Sequence, residues 1–150
     1  MIDRRTATNA FVTMLVTGTG LPVGRSKAPA GVSGPPYYVV DALTTELSGA
    51  PLADEHEDAD LVYQVTSVSG PDPERPESSG ALEQAEWMAD KARRVVLERH
   101  PTTGLWLHTL TVPGHKVIRR GLETEPGGTN DPGDAIISYV QRFRFALTPA

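Results

Sequence analysis

Apolar residues follow two rhythms along this chain. Ala7, Phe11, Met14 and Leu15 recur at three- and four-residue steps, so they fall on one stripe of a helix. Asp3 stands where a cap would open that helix. Gly18 and Gly20 mark its end near Val16, and Pro22 confirms the stop. A longer stretch, roughly residues 80–99, keeps the same spacing with Ala81, Leu82, Ala85, Met88, Ala89, Ala92, Val95, Val96 and Arg99. Ser78 or Ser79 is its expected cap. Glu83 and Glu86 come early and Arg93, Arg94 and Arg99 late, as the helix dipole favours.

Elsewhere the period is two. "PPYYVVDAL" (35–43) carries the tyrosines and valines of a pleated surface. In "LVYQVTSVS" (61–69), Leu61, Tyr63 and Val65 share one face, and Val62, Gln64, Thr66 and Val68 share the other. A strand with water on one side normally keeps that side more polar. Both faces are therefore expected to be covered, one by a helix and the other by a loop or a second subunit. "LWLHTLTV" (105–112) and "KVIRRGLET" (116–124), joined across Pro113-Gly114, predict a hairpin. The last strand, "IISYVQRFRFALT" (136–148), alternates most clearly. Ile137, Tyr139, Gln141, Phe143, Phe145 and Leu147 lie on one face, with Ser138, Val140, Arg142, Arg144, Ala146 and Thr148 on the other.

Residues 18–36, 44–60, 70–80 and 125–135 are rich in breakers or acid and predict exposed loops. The order is thus helix, two strands, helix, three strands. It predicts a single α+β domain over residues 1–150, a mostly antiparallel sheet with two main helices packed mainly on one face.

Composition narrows the function classes. The chain has 150 residues, no cysteine and a net charge of −5. It lacks the clustered Lys and Arg on which nucleic-acid affinity depends. No apolar run approaches the ~20 residues of a membrane span. Arg4 and Arg5 precede "AFVTMLV" much as in a signal peptide, but Thr6, Thr8, Asn9 and Thr13 interrupt the run. The segment reads as a helix of the mature protein.

No catalytic, cofactor or metal site stands out. "TGTGLPVG" (17–24) and "PGGTNDPGD" (126–134) have glycines but no following Lys and helix. The acidic cluster of Asp54, Glu55, His56, Glu57, Asp58 and Asp60 lacks the spacing of a calcium loop. Of the four histidines, His108 and His115 flank the proposed hairpin, with no third ligand in view. No Gly-x-Ser-x-Gly elbow is present. The expectation is a non-enzyme without cofactors.

What remains is surface. Arg119 and Arg120 are adjacent on one strand, and Arg142 and Arg144 share a face of another. Their guanidinium forks suit carboxylates of a neighbouring chain, and the segment with Asp54, Glu55, Glu57 and Asp58 can supply them. The competing reading is simple solvated side chains. Trp106, among apolar neighbours, is expected in the core. Trp87, at the edge of the long helical stripe, is either a boundary core residue or an interface anchor.

Taken in order, "PPYYVV", the acidic loop, "LVYQVTSVSG", "EQAEWMADKARRVVL" and the closing "ISYVQRFRFALTP" resemble the tail terminator (tail completion) proteins of long-tailed bacteriophages. The resemblance runs over nearly the whole chain. It implies an α/β subunit of a ring, hexameric in that family, at the head-proximal end of the tail tube in the virion. Such a ring assembles in the host cytoplasm and stops tube polymerisation. Its partners would be copies of itself, the tail tube protein and a head-completion or connector protein, with DNA passing through the lumen. The resemblance carries over no catalytic residues. An acidic chain suits such a conduit, since it does not hold phosphates. Another head-tail connector or stopper is the nearest alternative, and an α+β enzyme or small-molecule-binding module a more distant one.

Overall fold

A computed structural model describes residues 2–32, 34–48, 58–71, 80–131 and 136–150. Helix α1 spans Arg4–Thr19. It opens where expected: Asp3 accepts the backbone N–H groups of Arg5 at 3.0 Å and Thr6 at 3.4 Å, and the Thr6 hydroxyl at 2.8 Å. It closes on Gly20, in the left-handed conformation at φ 71°. Gly18 does not end the helix; it lies inside it. A Cβ there would meet Val95 at 2.7 Å, so the glycine lets the second helix approach closely.

The strands are β1 (Val23–Arg25), β2 (Tyr37–Ser48), β3 (Asp58–Ser69), β4 (His115–Asp131) and β5 (Ile136–Pro149). Helix α2, Leu82–Leu97, falls between β3 and β4. The sheet order is β1-β2-β3-β5-β4, antiparallel throughout except for the β1–β2 pair. This is the α+β class read from the sequence.

Three expectations about strands are corrected. Residues 105–112 form no hairpin strand; Trp106 and Val112 make single bridges, to Arg99 and His115. The "EPGG" stretch, expected in a loop, belongs to β4 and pairs with β5 through register shifts after Val117, Leu122 and Thr124. The last shift leaves Glu125 and Pro126 out of the ladder, as a bulge does, while Gly127 and Gly128 pair with Val140 and Tyr139. Likewise β2 runs on to Ser48 and β3 starts at Asp58, both inside the segment expected to be a loop. The short β1 was unforeseen. Its Gly24 passes the Lys27 carbonyl so closely that a Cβ would stand 2.0 Å from it.

Both helices cover the same face of the sheet. Phe11 of α1 stacks on Tyr63 at 4.7 Å between centroids and meets Phe145 edge-on at 5.2 Å. Around this trio lie Leu15, Met88, Val96, Tyr38, Val40, Val65, Phe143 and Leu147. The two buried tyrosines keep partners: Tyr38 donates to the Met88 carbonyl at 2.7 Å, and Tyr63 lies 3.3 Å from the Thr8 hydroxyl. Burial pushes both phenols above their usual range.

The start of α2 is capped from a distance. Ala81 is the cap residue and offers no side-chain hydrogen bond. Ser69, the last residue of β3, accepts the Ala81 N–H at 3.0 Å and donates to Gln84 at 2.6 Å. Ser78 and Ser79, the expected caps, lie outside the described residues.

Candidate functional site

Among the described residues, the second face of the sheet carries no helix. On β3 it presents Asp60, Val62, Gln64, Thr66 and Val68, and on β5 Val140, Arg142, Arg144 and Ala146. Val62 and Val68 are buried among their neighbours, while the other residues keep partial exposure. The face is thus mixed: Val62, Val68, Val140 and Ala146 are interspersed with Asp60, Gln64, Thr66 and the two arginines.

Arg144 is its most constrained side chain. Its Nε donates to Glu123 Oε2 at 2.7 Å and its Nη2 to Glu123 Oε1 at 3.2 Å, a two-pronged grip from the adjacent strand. Asp60 Oδ2 stands 4.0 Å from Nη1. The hydrogen bonds from Arg144 pull the Glu123 carboxyl below its usual range, and Glu123 in turn raises the guanidinium. Arg142 donates from Nε to Gln64 Oε1 at 3.1 Å. Both arginines are therefore engaged within their own chain, through Glu123, Asp60 and Gln64. Asp54, Glu55 and Glu57 lie outside the described residues, and Asp58 opens β3 in a half-buried position.

Beside this pair lies an open hollow of ≈ 410 Å³ lined by Asp60, Arg119, Gly121, Leu122, Glu123, Arg144 and Ala146. Its walls bring together two bases, two acids and the aliphatic side chains of Leu122 and Ala146. Among the described residues, no three His, Asp or Glu side chains converge as metal ligands.

Arg119 and Arg120 part company. Arg119 is exposed on the open face. Arg120 is a correction to the surface reading: it is 8% exposed and turned to the helix side. Its Nη1 donates to the Val96 carbonyl at 3.2 Å, satisfying a carbonyl in the last turn of α2. Burial, with Arg99 nearby, lowers its pKa to about 10. Trp106 is also corrected. It is half-buried, with the Arg99 guanidinium 4.1 Å and that of Arg120 4.7 Å from its ring centroid. The sequence could not separate Arg119 from Arg120, because a bulge at Ile118 decides which of them points inward.

Trp87 is 53% exposed on the outer surface of α2, with Lys91 Nζ 4.9 Å from its ring centroid. It takes no part in the core. Glu123 and Leu122 were missed as site residues, since cross-strand partners depend on a register that bulges reset.

No family model matches the chain, and no curated protein matches it. Among solved structures, the fold matches a chain of the "Virion of native gene transfer agent (GTA) particle" with a TM-score of 0.52. That likeness covers 89% of this chain and 84% of the other at 11% identity, so it is a likeness of fold. No described helix is long and apolar enough to cross a membrane.

Proposed function

We propose that the protein is a structural component of a phage-like virion, forming a ring, hexameric on the family resemblance, at the head-proximal end of the tail tube. There it ends tube polymerisation and presents a surface to the head-joining proteins, while DNA passes through the lumen. The observation that carries this reading is a fold shared along most of both chains with a chain of a virion particle. Two further features support it. The sheet has a face that no described element covers, on which valines are interspersed with Arg142, Arg144 and Asp60, a mixture suited to contact with another protein. Trp87 stands out from α2 as a large exposed aromatic on the opposite side. A ring subunit needs two different complementary patches.

The test is electron microscopy of the purified protein mixed with tail tubes assembled from the same virion's tube protein. The expected result is ring density at one tube end and tubes that no longer lengthen. Bare tubes that keep growing would overturn the terminator role and favour a connector elsewhere in the neck.

A further inference from the structure

The sheet has two long edges, and the residues along them complement each other. On one side, β1 pairs with β2 at Tyr38, Val39 and Val40 and reaches no further up. Among the described residues, the outer edge of β2 from Asp41 to Glu46 is therefore open. On the other side, β4 is the last strand. Among the described residues, no other backbone hydrogen bond reaches Asp41–Glu46 or Lys116–Leu122 from outside the sheet.

The pairing register relates the two edges. Glu46 pairs with Asp60, Asp60 with Ala146, and Ala146 with Arg119. One row of the open face thus ends in an exposed acid on β2 and an exposed base on β4. A second row, on the helix-covered face, runs from Ala42 through Tyr63 and Phe143 to Leu122. The bulge at this end of β2 skips Leu43, and the bulge in β4 skips Ile118. Leu43 is 46% exposed, Ile118 59% and Leu122 37%. Natural edge strands are commonly protected by charges or prolines. Here each edge exposes aliphatic side chains beside its charges, Leu43 with Glu46 on β2 and Ile118 and Leu122 with Lys116 and Arg119 on β4.

Strand direction agrees. Successive strands from β2 to β4 alternate, so β2 and β4 are antiparallel to each other. A β4 from a second copy, laid beside β2 at the same level, meets it as an antiparallel partner. That placement sets Arg119 against Glu46, and Leu122 near Leu43. Below this stretch β4 shifts register twice more, between Leu122 and Gly127, at the height where β1 occupies the β2 edge. Bulges interrupt a ladder, so the contact is confined to the stretch above β1.

We infer that copies of this chain join edge to edge, the Asp41–Glu46 edge of β2 in one copy pairing with the Lys116–Leu122 edge of β4 in the next. The contact is head-to-tail and leaves a free edge of each kind at the ends, so it propagates until it closes. This deepens the ring reading and rests on it for the assembly's setting. A pairing this short buries less than the about 800 Å² per partner of a standard interface. The free pair is therefore weak, and the contact is best captured covalently.

The chain has no cysteine, so single thiols report cleanly. Glu46→Cys and Arg119→Cys are made separately, one with a size tag, mixed at high concentration with and without tubes, and oxidised. Within one chain the two positions sit three strand spacings of about 4.8 Å apart, too far for an internal disulfide. Expected is a mixed disulfide exceeding either homodimer by more than about tenfold, because adjacency raises the effective thiol concentration. The Glu46→Cys/Arg119→Cys double variant should give a ladder of oligomers. Equal yields of all three dimers, or no disulfide even on tubes, would overturn the edge contact. Glu46→Arg and Arg119→Glu made singly should weaken association in sedimentation at low salt, and the two together should restore it. Rings on tube ends without the Glu46–Arg119 link would sink this contact and spare the terminator reading. The link without tube capping would do the reverse.

Discussion

Adjacent residues in this chain have opposite fates. Arg119 faces water, whereas Arg120 bonds the Val96 carbonyl and lies against Trp106. Truncating Arg120 removes that bond, strips cover from Trp106 and leaves a void. Arg120→Ala should lower unfolding free energy by about 2–3 kcal/mol, the range for a buried polar group lost with its packing. Arg120→Met should cost less, since it keeps the stem's volume, and both variants should shift Trp106 fluorescence to the red. Arg119→Ala should stay within about 0.5 kcal/mol, as exposed substitutions do. Chemical denaturation of the three variants checks this; equal costs at 119 and 120 would refute the burial assignment.

Among the elements, the two helices begin differently. Helix α1 carries its own cap, and Asp3 was readable from its position before an apolar stripe. Helix α2 borrows its cap from Ser69, at the end of a strand, with Gly80 passing so close that a Cβ would lie 2.5 Å from the Ser69 carbonyl. Ser69→Ala should therefore destabilise the protein by about 1 kcal/mol although it lies outside the helix. Native-state hydrogen exchange should show the loss first in the N-terminal turn of α2. Unchanged protection there would mean that the cap contributes nothing. Helices and the central strands were legible because their periods survive in the text. The length of β4 was not, since Pro126, Gly127 and Gly128 look like a loop until β5 supplies partners for the two glycines.

For the molecule as a whole, net charge −5 coexists with carboxylates held ionised by particular neighbours. Hydrogen bonds from Thr6 depress Asp3, and those from Arg144 depress Glu123. Below the unfolded carboxylate pKa of about 4, the unfolded chain binds protons that the native state still refuses. Their stabilisation is thus complete above that pH and declines as pH falls through the lowered native values. Glu123→Gln should flatten the acid limb of the stability-versus-pH curve by lowering its neutral plateau, leaving stability at the acid end little changed, because the parent carboxyl is already protonated there. Urea titrations between about pH 7 and about pH 3 check it; parallel acid limbs for the variant and the parent would count against the Arg144–Glu123 grip.

By itself the sequence determined the local terms: two helices with their apolar stripes, the alternating faces of the Leu61 and Ile137 strands, the α+β class, and Arg142 and Arg144 on one face. These follow from periods of 3.6 and 2, which need no knowledge of neighbours. Tertiary structure alone decided that Arg144 closes on Glu123, that Arg120 turns inward, and that Glu46 and Arg119 end the same row. Each depends on strand order and on bulges that shift register by one residue. A one-residue shift moves a side chain to the opposite face. That choice belongs to the pairing between strands, and the text of a single strand does not contain it.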